Sequence, residues 1–539
     1  MAGLMVRMVA AGVAEPVEIA PRASEVDGPT PPDSGAGTRP LDRVEARRQA
    51  KRWRAIRTVG WVAFGLWLVV LLVLSASLYR RFLLGEDFGI YYQAWTQIAS
   101  GHLDPYNSVY VYPFIKGNLE LVLWPLALLH FIAPQSFSLL VVQDVCVAGT
   151  GLVAYLWIVD VLERRSTPVW VASIVAVGVV AVVVVNPGSY GTVGFDIHLE
   201  PIGTLFLLLA GRDLWNGRLQ RASVFAGIVL LCGSLSTISL FGLGVSAVLA
   251  GSNTRRRGLL IMAVSFAWLG TISTLHFDQG GGNLYAYLAG RNSGGGTPGM
   301  TSVAKGVVTH PLRVVHHLQS RLGDIWVLLR PAGVIGLASA WGFGVPAAVI
   351  LTDALNSQRI YIQEAFQNFA VFPFLLVGTV MVLAGLASRL HRNRLLVGVV
   401  GLVGVLLVTQ SLFFGIGHSP ADVRALLAQP PTSAQADRLQ TALAETPGSA
   451  EVFAPLSVLG RFCGRPNCHY FNWFRPEPVR STSVVFVFAP NDEGAPIGLV
   501  HTAINHLRRD LHAQVVTDGD GVTVLIWRPP PGTKKVSIP

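Results

Sequence analysis

The chain has 539 residues and a formal net charge of +10, with 51% hydrophobic residues and only 13% Asp, Glu, Lys and Arg. Soluble proteins carry about 25% charged residues, so this chain lacks the charge to cover a water-exposed surface of its size. A water-soluble enzyme, a disordered chain and a coiled coil are excluded, which leaves an all-α polytopic membrane protein.

Residues 1–41 are rich in Pro, Gly, Ala and Glu without periodicity, and the whole segment 1–55 reads as a disordered cytoplasmic tail. Its end is strongly basic: Arg43, Arg47, Arg48, Lys51, Arg52, Arg54 and Arg57 accompany one acid, Glu45. Placed just before an apolar run, these are a positive-inside signal rather than a nucleic-acid surface. Val59–Leu78 then runs 20 residues without charge, enough to cross a hydrocarbon core of about 30 Å.

Further uncharged runs follow at 121–143, 145–159, 166–195, 222–254, 258–277, 331–352, 365–388 and 395–421, with basic clusters near 164, 212–221, 255–257, 330 and 389–394. If those clusters all face the cytoplasm, about eleven spans result, within a membrane domain at 56–415. The 33-residue run 222–254 then has to be two short helices, broken at Gly242 or Gly244. The outward connections are long: 80–120, 186–201, 278–325 and 353–369. Long structured loops on one side of a membrane are where function concentrates.

From 416 to 539 the pattern changes to a small extracytoplasmic α/β domain. An amphipathic helix is expected at Ala421–Glu445 and strands at 451–454, 484–489, 514–517 and 522–527, the last pair turned by Asp518-Gly519-Asp520-Gly521. Cys463 and Cys468 in this domain suit a disulfide in an oxidising compartment. Zinc is the rival reading and would need two more ligands, of which only His469 is close.

Several side chains could carry chemistry. Glu86 and Asp87 follow the first span, where a low-dielectric surface can raise a carboxylate pKa and make it a general base; an interfacial belt is the alternative. Asp196, His198 and Glu200 alternate in the second loop and share one face if that segment is extended, a geometry for a divalent metal or a shared proton. Lys116, Arg291, Lys305, Arg313 and Arg321 are outward cations able to meet a phosphate. His310 and His317 share a helix face. No phosphate-binding glycine loop ends in Gly-Lys-Ser/Thr, so nothing indicates ATP.

The stretches EDFGIYYQAWTQIASGHLDPYN, NLELVLWPLALLHFIAPQSFSLLVVQD and NPGSYGTVGFDIHLEP resemble the DUF2079 family of bacterial membrane proteins. Its Asp-Leu-Gly-Ile-x-x-Gln-like motif falls on Asp87-Phe88-Gly89-Ile90 with Gln93, and its Phe-His-x-Glu-like motif on Phe195 to Glu200. The stretch ETPGSAEVFAPLSVLGRF is similar to the family's soluble tail. Two positions depart: Asn118-Leu119-Glu120 replaces a His-containing segment, and Ser234-Leu235-Ser236-Thr237 replaces Lys-Glu. The family in turn is similar to the GT-C glycosyltransferases. That resemblance implies a bacterial plasma-membrane enzyme working on the outer face, with a polyprenyl-phosphate-linked sugar as donor and a cell-envelope glycan or lipid as acceptor. It implies Asp87, beside Glu86, as base; Asp196, His198 and Glu200 as secondary or metal-binding groups; and Lys116, Arg291 or Arg313 as the donor-phosphate clamp. A lipid or glycolipid transporter and a non-catalytic envelope scaffold are the competing classes.

Overall fold

The computed structural model describes residues 40–275, 285, 287–288, 300–389, 394–413, 422–471, 477–489 and 497–537. The first helix, α1 (Pro40–Arg80), is 41 residues long, about 60 Å at 1.5 Å per residue and twice the thickness of a bilayer core. The basic stretch expected in a disordered tail is therefore helical from Pro40 onward; residues 1–39 lie outside the described residues. Val62, Leu66, Val69 and Val73 make an exposed apolar stripe on α1, while Phe64, Trp67, Leu71, Leu74 and Leu78 are buried. One face meets lipid and the other the bundle.

After α1 the chain forms α2 (Glu86–Ala99), α3 (Phe137–Arg164), α4 (Val169–Val184), α5 (Pro187–Gly194) and α6 (Glu200–Trp215). Then come α7 (Leu219–Leu230), α8 (Ser234–Leu249), α9 (Ser252–Thr274), α10 (Pro311–Ser320), α11 (Ala340–Ala354), α12 (Val371–Arg389) and α13 (Arg394–Phe413). Among the described residues four helices are long and apolar enough to cross a membrane: Val44–Arg80, Phe137–Arg164, Val169–Gly194 and Ser252–Thr274. Shorter apolar helices are Leu219–Leu230, Ser234–Leu249, Ala340–Ala354 and Val371–Ala387.

The run 222–254 is two helices, but the break is at 231–233, where Gly233 adopts φ +96°, not at Gly242 or Gly244. Those two glycines are mid-helix and serve close packing. A Cβ on Gly242 would lie 2.5 Å from the Gly344 carbonyl oxygen, and one on Gly244 2.8 Å from that of Gly258. A Cβ on Gly203 would strike Ser236 and one on Gly211 would touch Leu243, so α6 and α8 run in the same direction and α7 is the return between them.

The bundle has a basic end. There Arg57 pairs with Asp160 at 3.1 Å and with Glu163, Arg212 with Asp160 at 2.7 Å, and Arg221 with Asp213 at 3.1 Å. The start of α2 and the α5–α6 connection lie at the opposite end, together with a five-stranded sheet. Its strands are β1 (Glu451–Ala454), β2 (Cys468–Tyr470), β3 (Val484–Phe488), β4 (Gln514–Gly519) and β5 (Val522–Trp527), in the order β2-β1-β3-β5-β4. β1 is parallel to β2 and β3; β5 is antiparallel to β3 and β4. Asp520 (φ +54°) and Gly521 (φ +80°) turn the β4–β5 hairpin, the two-positive-φ turn that favours Asp-Gly.

Two elements differ from expectation here. The helix expected at 421–445 is Ser433–Glu445, α14, with Thr432 and Gln435 forming a capping box. Pro430-Pro431 lacks two amide donors and separates it from a short turn of helix at Val423–Leu427. A helix absent from the sequence reading, α15 (Ile497–Arg509), packs on the sheet.

The glycine contacts give a direct test. Gly242→Val should destabilise the protein by about 1–3 kcal/mol through overpacking, lowering the thermal midpoint in detergent. Gly227→Ala, in a helix with nothing within 4 Å, should leave it unchanged or raise it. Equal midpoints for Gly242→Val and wild type would contradict the close α8–α11 crossing.

Candidate functional site

Helix α2 begins where the chain leaves the bundle, at Gly85, with Glu86 and Asp87 in its first turn. Acids are favoured there by the helix dipole, yet no side chain of its own caps the helix. The cap comes from the second connection: Asp196 Oδ1 accepts the Gly85 amide at 2.7 Å, and the Asp87 and Phe88 amides also reach this carboxylate. Asp196 is buried and held at φ +141°, a conformation costly for a non-glycine residue. Gln143 on α3 holds the same connection by donating to the Thr192 and Asp196 carbonyls and accepting the His198 amide at 2.6 Å.

With Asp196 turned toward α2, the three alternating side chains do not share a face. His198 instead lies between two carboxylates, its Nε2 3.8 Å from Asp87 Oδ2 and its Nδ1 3.9 Å from Glu200 Oε2. The Phe366 ring stacks on it at 3.4 Å between centroids, with Phe195 stacked on Phe366 at 5.6 Å. Buried in this way, the imidazole is pushed down to about 3 and stays neutral at physiological pH.

Asp87 is the most accessible member of the group. Its side chain is 31% exposed, yet surrounding protein raises its pKa well above the usual carboxylate value, helped by the charges of Asp196, Glu86, Glu200 and Glu364. Asp87, His198 and Glu200 with nearby Glu364 make an acidic recess that solvent reaches at Asp87. Burial also pushes Asp196 up to about 7, against the pull of its amide donors. Glu86 at the rim accepts a hydrogen bond of 2.5 Å from the Tyr110 hydroxyl. Beside Glu200 a small cleft of about 10 Å³, bounded by Thr204, Leu207, Leu235, Ser236, Ser239 and Gln367, lies between α6 and α8.

The sequence reading missed Glu364. It comes from the 353–369 connection, accepts from Gln367 Nε2 at 2.7 Å and is raised to about 7 by burial. Phe366, two residues on, locks that connection onto His198. A single Glu in a loop without periodicity carries no pattern signal. Glu120, named in the sequence only as part of a departing segment, is buried at the Gly233 bend and bears on the Tyr91 hydroxyl.

The divalent-metal reading fails on this geometry. Asp87 and Glu200 address opposite ring nitrogens of His198, so one ion could not take both, and the Asp196 carboxylate faces backbone amides. Among the described residues no three His, Cys, Asp or Glu side chains converge as metal ligands. Of the cations, Lys116 is exposed, Arg313 is exposed and donates to the Tyr287 carbonyl at 3.1 Å, and Arg291 lies outside the described residues. Arg321 is buried and donates to the Asn356 and Ser357 carbonyls. Lys305 is exposed, and His317 bonds the Asn356 carbonyl.

Above the recess the sheet is fastened to α2. Cys463 and Cys468 form a disulfide, and Gln93 Nε2 donates to the Arg465 and Pro466 carbonyls inside that loop. Ser108 donates to the Cys468 carbonyl at 2.6 Å and accepts its amide at 2.8 Å. His469 spans the Ser108 carbonyl and Glu451 at 2.8 and 2.9 Å.

A bundle of apolar helices with an acidic group at one end, the end that also carries a small sheet, defines a multi-spanning membrane protein. The chain belongs to the family described as predicted membrane protein (DUF2079), whose model matches residues 78–473, from the end of α1 through the disulfide loop. No curated protein matches it. Among solved structures, ArnT from Cupriavidus metallidurans in the apo state is similar at 13% identity and a TM-score of 0.43, over 87% of this chain and 98% of that one.

Two outcomes test the site. Asp196→Ala removes a buried cap and should cost about 1–2 kcal/mol of stability, seen as a lower thermal midpoint. Glu364 binds its proton more tightly folded (about 7) than its ordinary value of 4.5. Its contribution to stability is therefore complete below pH 4.5 and lost as pH rises through about 7. Glu364→Gln should flatten the fall in midpoint across that window; an unchanged slope would contradict the buried carboxyl.

Proposed function

We propose that this protein is a GT-C-type membrane glycosyltransferase that moves a sugar from a polyprenyl-phosphate carrier to a hydroxyl of a cell-envelope glycan or lipid. The observation that carries the reading is Asp87: a water-reached carboxylate of raised pKa at the mouth of an otherwise buried recess. Raised basicity at an accessible position is what a general base requires.

In the proposed step the acceptor oxygen attacks the anomeric carbon as the bond from that carbon to the phosphate oxygen breaks. The acceptor proton passes to Asp87, and the electron pair leaves on the carrier phosphate. The charges acting on Asp87 are all acidic, so cations at the rim have to meet the phosphate. Lys116, exposed on the Phe114–Gly117 turn, is our first assignment and Arg313 the second. Asp196 positions the helix carrying the base. No metal enters the step.

The sorting of charge supports an orientation in the plasma membrane. With the basic end of the bundle cytoplasmic, the N-terminal segment 1–55 is inside, and the membrane domain 56–415 opens its recess outward through about eleven spans. The domain 416–539 is then extracytoplasmic, an oxidising location that suits the Cys463–Cys468 bond.

Asp87→Asn should lower sugar transfer from a polyprenyl-phosphate donor in proteoliposomes by about 10²–10⁴-fold, with donor binding retained. The wild-type rate should rise with pH through an inflection well above the ordinary carboxylate range. Full activity in Asp87→Asn would overturn the assignment, and labelled lipid changing leaflet without a new glycosidic bond would favour transport.

A further inference from the structure

Helix α10 (Pro311–Ser320) has a helix on either side of it, Met300–Thr309 and Leu322–Leu329, with the single residues His310 and Arg321 between them. One side of this stretch is fastened to the protein. Leu318 and Ile325 pack against the core, and Leu328 and Leu329 are buried. His317 bonds the Asn356 carbonyl at 3.0 Å, and Arg321 donates to the Asn356 and Ser357 carbonyls. Asp324 accepts from Arg359 at 2.8 and 2.9 Å and from Gln363 at 3.1 Å. All of these bonds end on the connection that brings Glu364 and Phe366 to the recess.

Another side of the stretch is apolar and uncovered. Val308, Leu312, Val315, Leu322 and Trp326 are between 47% and 78% exposed, and their positions follow the helical repeat. No residue of α10 is buried, and at ten residues, about 15 Å, it is too short to cross a bilayer. Lys305, Arg313 and His316 are exposed among the apolar positions. The only acid in the sequence from Met300 to Arg330 is Asp324, already bound by Arg359. The outward surface therefore offers hydrocarbon and positive charge without an exposed carboxylate. Its complement is the surface of an anionic bilayer, with acyl chains under the apolar side chains, a tryptophan at the boundary and phosphates against the cations.

We propose that the 308–326 stretch lies in the bilayer surface at the recess end of the bundle, with its exposed apolar side chains among acyl chains and Lys305 and Arg313 among anionic headgroups. Seated there, it clamps the connection from Asn356 to Phe366 against the recess. The seating rests on residues outside the recess and holds whether or not Asp87 acts as a base.

The test uses the full-length protein with a nitroxide on a cysteine introduced at Leu312, Val315 or Ser320, in nanodiscs of phosphatidylcholine with or without phosphatidylglycerol. Cys146 and Cys232 are buried and Cys463 is bonded to Cys468, so the introduced thiol is the reactive one. Ser320 is five residues from Val315, on a different side of the helix. Labels at Leu312 and Val315 should collide with a water-soluble nickel chelate several-fold less than the label at Ser320, and with oxygen several-fold more. Phosphatidylglycerol should deepen this shielding, and Lys305→Gln/Arg313→Gln should abolish the deepening. Leu312→Glu/Val315→Glu, at two exposed positions, should speed amide exchange over 356–366 several-fold. Nickel access at Leu312 and Val315 equal to that at Ser320 would overturn the seating, as would spin–spin distances showing a second copy of the chain packed on this face. No effect of phosphatidylglycerol would overturn the role of the cations, and unchanged exchange over 356–366 would overturn the clamp.

Discussion

The carboxylate of Asp196, closed on the amides at the start of α2, is the contact on which the rest of the site depends. Helix α2 lies between the apolar bundle and the C-terminal sheet, and its first amides would otherwise be buried without acceptors, a cost of about 1–3 kcal/mol each. By taking them, Asp196 sets where Asp87 sits and draws the second connection against the first. The strained backbone at Asp196 (φ +141°) and the Gln143 hydrogen bonds follow from that requirement. Midway along, α2 is gripped through Gln93 by the disulfide loop, so the helix is held at its start and its middle.

This arrangement separates two electrostatic regimes. The recess gathers Asp87, Glu200 and Glu364 around a neutral imidazole, and burial raises the carboxyls that show a shift. Across the helix, Arg461 and Arg465 lie beside Tyr92, and among the described residues neither pairs with a carboxylate. One short helix therefore has acids on one face and arginines on the other, and burial shifts both Asp87 and the arginines toward their neutral forms.

Much of this was legible in the residues, and what was not has physical causes. Scarce charge and long uncharged runs identify a membrane protein because bilayer insertion tolerates little else, and Asp87 and His198 are visible as polar groups following apolar runs. The break at Gly233 was misplaced because glycine serves two purposes: at 233 it supplies a positive φ, while at 242 and 244 it permits close helix contact, and only the fold distinguishes them. Alternation suggested that Asp196, His198 and Glu200 share a face; the left-handed turn at Asp196, required by a helix more than a hundred positions earlier, sends them three ways. Glu364 reaches the recess because Phe366 stacks on His198, a long-range contact with no local signature. Strand β2 is three residues long and begins at Cys468, too short for a period to register.

The claim at the centre of this account is that Asp87 is a protonatable carboxyl lining an accessible recess. Reaction with a membrane-permeant carbodiimide, which modifies protonated carboxyls, measures this directly when the adduct on the Asp87 peptide is quantified by mass spectrometry across pH. The account predicts that Asp87 stays reactive well above the pH at which ordinary surface carboxylates cease to react, and that a polyprenyl-phosphate-linked sugar protects it. Reactivity that disappears together with that of exposed carboxylates such as Asp520 would contradict it.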